Sequence, residues 1–453
     1  MFFRSERRPV GGPSPSSSRG EAFSSLRIPA YRTLWWGGLF TFMSVQMQFL
    51  LRGLLAWDLT EREGALGLVY LCFGVSLLIA TPLGGVASDR YSKRLILVLA
   101  QLVITIFAVF MGVMVLLDIA EFWMLMVAAV AQGAAFGFFG PARVAFSADL
   151  VGRDQLGNAI ALSLLSMNGT RIFAPSLAGV LAGWALFGIG GAYLAAGATA
   201  VVAMVVLLRL PNVPGTRAIE AAQVADGTVD AADTIPFNPW AEMIEGVRYV
   251  AAKPPLRRLV LSSFFIVMFG FNYVAFYPAM IEGVFGLDDT YVGYISSASA
   301  LGAVAVSIPL ASRANSSRAK IAMILGGLGF GLGVIAFGLA PGFWSAFAVI
   351  GFVGGANTIY QTLSNTMALS LSDDAYQGRV QSLMQLSFAG FGIAAAPLGL
   401  LAEVIGLRQA IMGMGLVTMA AAVTYLVAEG GVVSVRSEAE ALGAVDVEDL
   451  AAA

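Results

Sequence analysis

The sequence predicts an all-α integral membrane protein, with twelve transmembrane helices arranged in two six-helix halves. Three observations lead there. Of 453 residues, 58% are hydrophobic and 12% charged, and the mean hydropathy is +0.81. Soluble domains carry about 25% charged residues, so most of this surface must face lipid. Twelve apolar runs follow one another, each near the roughly 20 residues that a bilayer crossing requires. Landmarks also recur at nearly constant spacing. Gly157 answers to Gly378, Pro175 to Pro397, and Arg90 to Arg313, as duplicated halves would give.

Residues 1–32 are rich in Arg, Ser, Pro and Gly and lack the apolar core of a signal peptide. They read as a cytoplasmic tail. The N-terminal half, 33–210, holds runs near 33–57, 65–87, 95–117, 122–142, 157–184 and 190–209. A polar linker occupies 211–258, with Asp226, Asp230 and Asp233 among small residues. Inside it, Asn238 and Pro239 suit an N-cap and first helical position. Trp240, Met243, Ile244, Val247 and Val250 then recur at helical spacing. This amphipathic helix fits two places, on the membrane surface or packed under the bundle. The C-terminal half, 259–428, holds runs near 259–284, 291–311, 320–340, 343–368, 379–403 and 407–428. Residues 429–453 form an acidic tail.

Charge placement sets the expected orientation. Of the 26 Lys and Arg residues, Arg62 and Arg408 fall on odd-numbered connections, and Arg52 and Arg171 lie within spans. The rest occupy the tails, the even-numbered loops and the linker, so both termini are expected in the cytoplasm. A net charge of −2 argues against a nucleic-acid partner. With no His and the single Cys72, neither a His/Cys metal site nor an internal disulfide can form. No cofactor or metal is expected, and enzyme chemistry lacks its usual groups.

The turn between the second and third spans carries Gly85-x-x-x-Asp89-Arg90-x-Ser92-Lys93-Arg94. Gly85 permits close helix approach, and the charges can latch one conformation or anchor the turn in the cytoplasm. In this position the pattern resembles the signature loop of the major facilitator superfamily, with Ser92 where the family usually carries Gly. Gly140-Pro141-Ala142-Arg143, then Asp149-Leu150-Val151 and Leu156-Gly157-Asn158-Ala159, extend the likeness, as do Trp57-Asp58-Leu59-Thr60 and Gly378-Arg379-Val380. Together they resemble that superfamily's enterobactin-exporter-like and macrolide-efflux-like branch. The resemblance implies two parallel halves around a midplane cavity. It also implies export of an amphipathic small molecule, drug- or siderophore-like, in exchange for protons, from a plasma membrane such as the bacterial inner membrane. A monomer is expected. An importer on the same fold, or a non-transporting sensor or adaptor, are the rival functions. A sensor would be expected to carry a further folded soluble domain.

The resemblance also implies site residues. Asp89, Arg90, Lys93 and Arg94 with Gly85 would form a conformational gate. Span 5 carries Asn168, Arg171, Pro175 and Gly179, where antiporters show a Gly-Pro-x-x-Gly-Gly pattern; Ala174 and Ala178 replace two of its glycines. Spans that line the family's cavity carry Gln46, Gln48, Gln132, Asn272, Tyr273, Asn357, Tyr360, Gln361 and Asn365. Intramembrane polar groups face protein or water, so these either bind cargo or bond between helices. No carboxylate lies near the middle of a span. If protons are coupled, Asp58 and Glu282, at external ends, are the acids available. Arg171, mid-span, must face protein or an aqueous cavity. Arg52, nearer the external end, is expected to snorkel and serve the structure.

Overall fold

The computed structural model describes residues 23–152, 155–184, 186–212, 239–288, 290–311, 319–373 and 376–430. The terminal tails, most of the linker with its acids and Asn238, and Arg313 and Arg318 of the second-half turn lie outside them. A 3₁₀ turn, Ser24–Arg27, leads into α1 (Pro29–Thr60), which Pro29 starts with its preset φ. Then come α2 (Glu63–Arg90), α3 (Lys93–Leu116), α4 (Phe122–Val151), α5 (Leu156–Gly183) and α6 (Gly188–Leu207). The linker contributes α7 (Pro239–Ala252). The second half comprises α8 (Pro254–Phe265), α9 (Thr290–Ala311), α10 (Ala319–Leu339), α11 (Phe343–Ser370), α12 (Gln377–Ile405) and α13 (Leu407–Ala428). Among the described residues nine helices are long and apolar enough to cross a membrane, namely α1–α4, α6, α8 with its continuation to Val274, α10, α11 and α13. The long helices α5, α9 and α12 stand where spans 5, 8 and 11 were expected. Only helices let so many apolar residues satisfy their own backbone in lipid.

Within each half, helices cross where glycine removes the side chain between them. In the first half a Cβ on Gly84 would meet the backbone of Gly137 and Phe138, joining α2 to α4. One on Gly190 would meet Leu116, bringing α6 to the end of α3. The second half repeats both pairings. Gly302 and Gly354 join α9 to α11, and Gly331 and Gly415 join α10 to α13. This is the structural counterpart of the repeat.

The halves touch through two other pairs. α2 crosses α12, with Gly74 against Gly392, Gly67 against Ala395 and Gly399 against Glu63. α5 crosses α9, with Gly179 against Gly293 and Gly183 against Thr290, whose hydroxyl donates to the Gly183 carbonyl at 2.8 Å. All of these approaches lie toward the end of the bundle that carries the α1–α2 and α5–α6 connections, here the odd face. Farther along the same helices, Gly84 of α2 and Gly302 of α9 meet helices of their own halves.

The linker helix packs under the bundle, while part of it remains free for a membrane surface. Tyr249 stacks on Tyr376 at 4.0 Å. Glu245 pairs with Arg379 at 2.8 Å, and Lys253 with Asp373 at 2.9 Å. These bonds fix α7 to the α11–α12 turn, and Ile244 and Val247 remain exposed on it.

Candidate functional site: the seam between the halves

The polar groups near the middle of the bundle begin on α1. Thr41, Ser44, Gln48 and Arg52 follow at helical spacing and share one face. Thr41 donates to Gln101 of α3 at 2.7 Å, and Ser44 to the Ala196 carbonyl of α6 at 2.8 Å. Gln48 donates to Ser44 at 3.0 Å. Gln132 of α4 donates to Gln48 and accepts from Arg52, each at 2.6 Å. The result is a polar ribbon through the first half. Arg52 does not snorkel. It is 2% exposed, and its guanidinium lies 4.7 Å over the Phe73 ring. The odd end is two turns away, and the Gln48–Gln132 pair holds the side chain sideways into the bundle. Its Nη1 is buried with no hydrogen-bond partner among the described residues.

Beside Arg52 the seam is aromatic. Phe49 and Tyr70 pack together at 4.8 Å, and both reach Phe391 of α12, at 5.4 and 5.5 Å. The Tyr70 hydroxyl donates to the Phe49 carbonyl at 2.9 Å. Arg171 of α5 faces the other half, 5.9 Å over the Phe271 ring. That ring sits where α8 loses regularity, with a π turn at Ile266–Gly270, a 3₁₀ turn at Phe271–Val274 and a second π turn at Ala279–Val284. Such interruptions are common at functional sites.

The second half offers neutral amides. Asn272 donates to the Met268 and Phe391 carbonyls, at 2.5 and 3.2 Å, and its buried Oδ1 has no partner among the described residues. On α11, Gly354 and Gly355 face α9, while Ala356, Ile359 and Tyr360 face α10. Asn357 and Gln361, four residues apart, fall on neither face. Asn357 Oδ1 and Gln361 Nε2 are also buried without a partner among the described residues.

Several expected cavity residues prove to be bonded inside their halves. Gln132 is taken up by the ribbon. Tyr273 is 2% exposed, packed among Tyr277, Phe330 and Phe337. Tyr360 is 3% exposed, with its hydroxyl 2.9 Å from Ser263. A buried polar group needs such partners, so none of these three stands on an open wall here. Gln46 and Asn365 are half-buried.

The basic turn is tied within its own half. Lys93, 3% exposed, donates to Asp149 at the end of α4 at 2.5 Å. Arg94 donates to the Leu208 carbonyl beyond α6 at 2.5 Å, and Ser92 to Asn212 at 2.7 Å. Arg90 is exposed, and the Asp89 side chain lies outside the described residues, as does that of Asn168. The second half keeps one of these ties. Lys320 at the start of α10 pairs with Glu429 beyond α13 at 2.7 Å, and Arg258 joins it at 3.3 Å.

At the odd face, Asp58 is exposed and Glu282 is half-buried. Glu282 and Asp288 line an open crevice with Ala182, Gly183 and Thr290. Across the other crossing, Arg62 pairs with Glu403 at 3.3 Å, and the Gly64 amide donates to the same carboxylate at 3.1 Å.

The profile of the Major Facilitator Superfamily matches residues 34–387 and 259–448. The chain belongs to the Major Facilitator Superfamily. Among curated relatives, the enterobactin exporter EntS of Shigella flexneri is 25% identical over 346 residues, covering 75% of this chain and 77% of that protein. Enterobactin exporter EntS of Escherichia coli O157:H7 matches to the same extent. Among solved structures, a bacterial homologue of the human lysosomal transporter Spinster, inward-facing and unoccupied, superposes with a TM-score of 0.66 at 15% identity. The match covers 93% of this chain and 99% of that one. A POT family transporter in complex with 5-aminolevulinic acid gives 0.63 at 14% identity, covering 88% and 96%. The protein is therefore a multi-pass membrane transporter of the superfamily, and the twofold helix pairing described above is that superfamily's fold.

Sequence reasoning missed three features of this major facilitator. Asp149 was read as a branch landmark, not as the partner of Lys93. Of the two α1 glutamines named from the sequence, Gln48 is the one in the ribbon, a distinction the sequence reading did not draw although the helical spacing of Thr41, Ser44, Gln48 and Arg52 shows it. The cross-half glycine contacts have no signal in a single chain, because each glycine names no partner.

Proposed function

We propose that the protein exports an amphipathic small molecule by alternating access, with both termini in the cytoplasm of a bacterial inner-membrane cell face. One observation carries the reading: among the described residues, the glycine contacts between halves lie toward the odd face. Two rigid halves in close contact at one end form one limit of a rocking motion about the seam. The positive-inside distribution makes the odd face the outer one. The cargo then enters from the cytoplasm and meets Arg171, the α8 break and the amides of Asn272, Asn357 and Gln361. The curated exporters at 25% identity support the outward direction. Proton exchange would run through an acid at the odd face, Glu282 being half-buried there and Asp58 exposed.

The test is accumulation of a panel of dyes and antibiotics in cells that express or lack the protein, with and without a protonophore. Lower accumulation in expressing cells, abolished by the protonophore, is expected. Higher accumulation refutes the direction, and protonophore insensitivity refutes the coupling.

A further inference from the structure

Every acidic side chain of the long bundle helices lies in a terminal turn: Asp58, Glu63, Asp89, Asp149, Glu282 and Glu403. Arg52, Arg143 and Arg171 instead lie two or more turns inside their helices, all in the first half. A charge buried in low dielectric is normally paired with its opposite. Among the described residues Arg52 is bonded to the neutral amide of Gln132, with the Phe73 face beneath it, and its Nη1 has no partner. Arg143 lies 5.0 Å over the Phe42 ring, and its buried Nε also lacks a partner among the described residues. Arginine stays protonated in such sites, so Arg52 and Arg143 bring positive charge that no acidic side chain among the described residues neutralises.

Arg52 is also close to the seam. The next residue, Gly53, has space for no side chain, since a Cβ there would lie 2.7 Å from the Tyr70 hydroxyl and 3.8 Å from the Ala275 carbonyl of the other half. Tyr70, packed on Phe49 and on Phe391 of the other half, thus lies at the seam against Gly53, one residue along α1 from Arg52. We propose that the cargo is an organic anion with an aromatic or apolar body, and that Arg52, oriented by Gln132, takes up its negative charge when Tyr70 moves aside. The Phe49, Tyr70, Phe73 and Phe391 rings form the surface that receives the apolar body. Low-dielectric walls with one sign of charge focus the field on an anion and reject cations of the same size. Planar carboxylates, sulfonates and catecholates match the two-pronged guanidinium donor. Gln132 acts as a positioning residue, since it holds Arg52 in the bundle and touches no cargo.

This inference deepens the exporter reading and rests on it for the direction of transport only. Its test is therefore binding first. The full-length protein, purified in detergent, is melted in increasing sodium benzoate or benzylammonium chloride at constant ionic strength. Benzoate is expected to raise the melting midpoint, benzylammonium to leave it unchanged. Arg52→Gln should abolish the benzoate shift, and Arg52→Lys should retain part of it. A benzoate shift no larger than that of benzylammonium overturns the proposal, as does a full shift in a folded Arg52→Gln protein. Transport then uses carboxyfluorescein and rhodamine 6G, dyes of similar ring size and opposite charge. Cells with the wild-type protein should retain several-fold less carboxyfluorescein than cells without it, and Arg52→Gln should erase the difference. Extrusion of rhodamine 6G alone overturns the anion proposal and leaves the exporter standing. Inward movement of carboxyfluorescein that depends on Arg52 overturns the export direction and supports the anion site.

Discussion

Replacing Gly74 by alanine should push the transporter away from the arrangement described here. The new Cβ would stand 2.8 Å from Gly392 Cα and 3.1 Å from the Ala389 carbonyl oxygen. Both are backbone atoms, so no side chain can rotate away, and α2 and α12 must separate. Overpacking of this kind costs about 1–3 kcal/mol. The contact belongs to the seam between halves, so the cost falls on the state closed at the odd face and not on each half. A bias of that size changes a two-state ratio by roughly 5- to 150-fold. The readout is a single cysteine in place of Phe49, on the seam, in a Cys72→Ser background. A membrane-impermeant maleimide added outside intact cells should label it faster, by a factor in that range, when Gly74→Ala is present. Gly133→Ala is the control. Its Cβ would lie 3.1 Å from the Phe73 carbonyl carbon, inside one half. It should lower the melting temperature and leave labelling unchanged. Equal labelling of the Gly74→Ala and parent proteins, both folded, would refute the assignment of this seam to one state.

Three further outcomes follow from the charged ties. Asp149→Asn removes the carboxylate facing the buried Lys93 ammonium. It should destabilise the protein by about 1–3 kcal/mol, below the usual cost of breaking a buried pair because Asp149 is partly solvated, as a detergent melting curve would show. The docking of α7 should persist from mildly acid to mildly alkaline pH and loosen on acidification. The Asp373 carboxyl is held below its ordinary 3.8, chiefly by its hydrogen bond with Lys253. Its contribution is thus present above 3.8 and lost as pH falls through the lowered value. The Lys253 ammonium is held above 10.5, chiefly by its bond to the Tyr249 hydroxyl and then by Asp373. Its contribution is present below 10.5 and lost only above the raised value. Amide protection factors across 239–252, which allow for the intrinsic rise of exchange with pH, should fall as the pH drops below the ordinary carboxylate range and hold steady between pH 6 and pH 9. Glu403→Gln should speed odd-face labelling less than Gly74→Ala does, by about fivefold at most, since exposed pairs contribute up to about 1 kcal/mol; a larger effect would make this carboxylate the main outer lock.

Helix positions and the duplicated halves were legible because a bilayer fixes helix length and keeps charges at the ends. Individual side-chain partners were far less so. Arg52 sits near the external end of its run, where snorkelling is the economical expectation. That expectation fails because Gln132, itself held by Gln48, accepts from the guanidinium inside the bundle, and Gln132 lies on another helix, beyond the reach of any one-helix pattern. Tyr273 and Tyr360 were read as cavity residues from helix number alone. The helical phase of α11 separates Tyr360, facing α10, from Asn357 and Gln361. The charged turn of the first half was legible as a cluster, but its ties to Asp149 and to Leu208 depend on how α4 and α6 end beside it.

The two kinds of contact at the odd face differ in what can open them. The Arg62–Glu403 pair is solvated, with side chains 70% and 24% exposed, so parting it costs up to about 1 kcal/mol. The glycine crossings are backbone packing and carry no titratable group. Turning a 1:99 population into 99:1 takes about 5.5 kcal/mol of differential binding. An exposed acid at this gate supplies a small part of that. The larger part has to come from cargo that binds more tightly when the halves are parted at the odd face than when they are closed there. Buried groups that lack a partner in the closed arrangement provide such a difference. Among the described residues, Arg52 Nη1, Asn272 Oδ1, Asn357 Oδ1 and Gln361 Nε2 are buried with no hydrogen-bond partner. A ligand that completes them gains what the unloaded protein does not have, and the charge of Arg52 makes an anion the ligand that gains most.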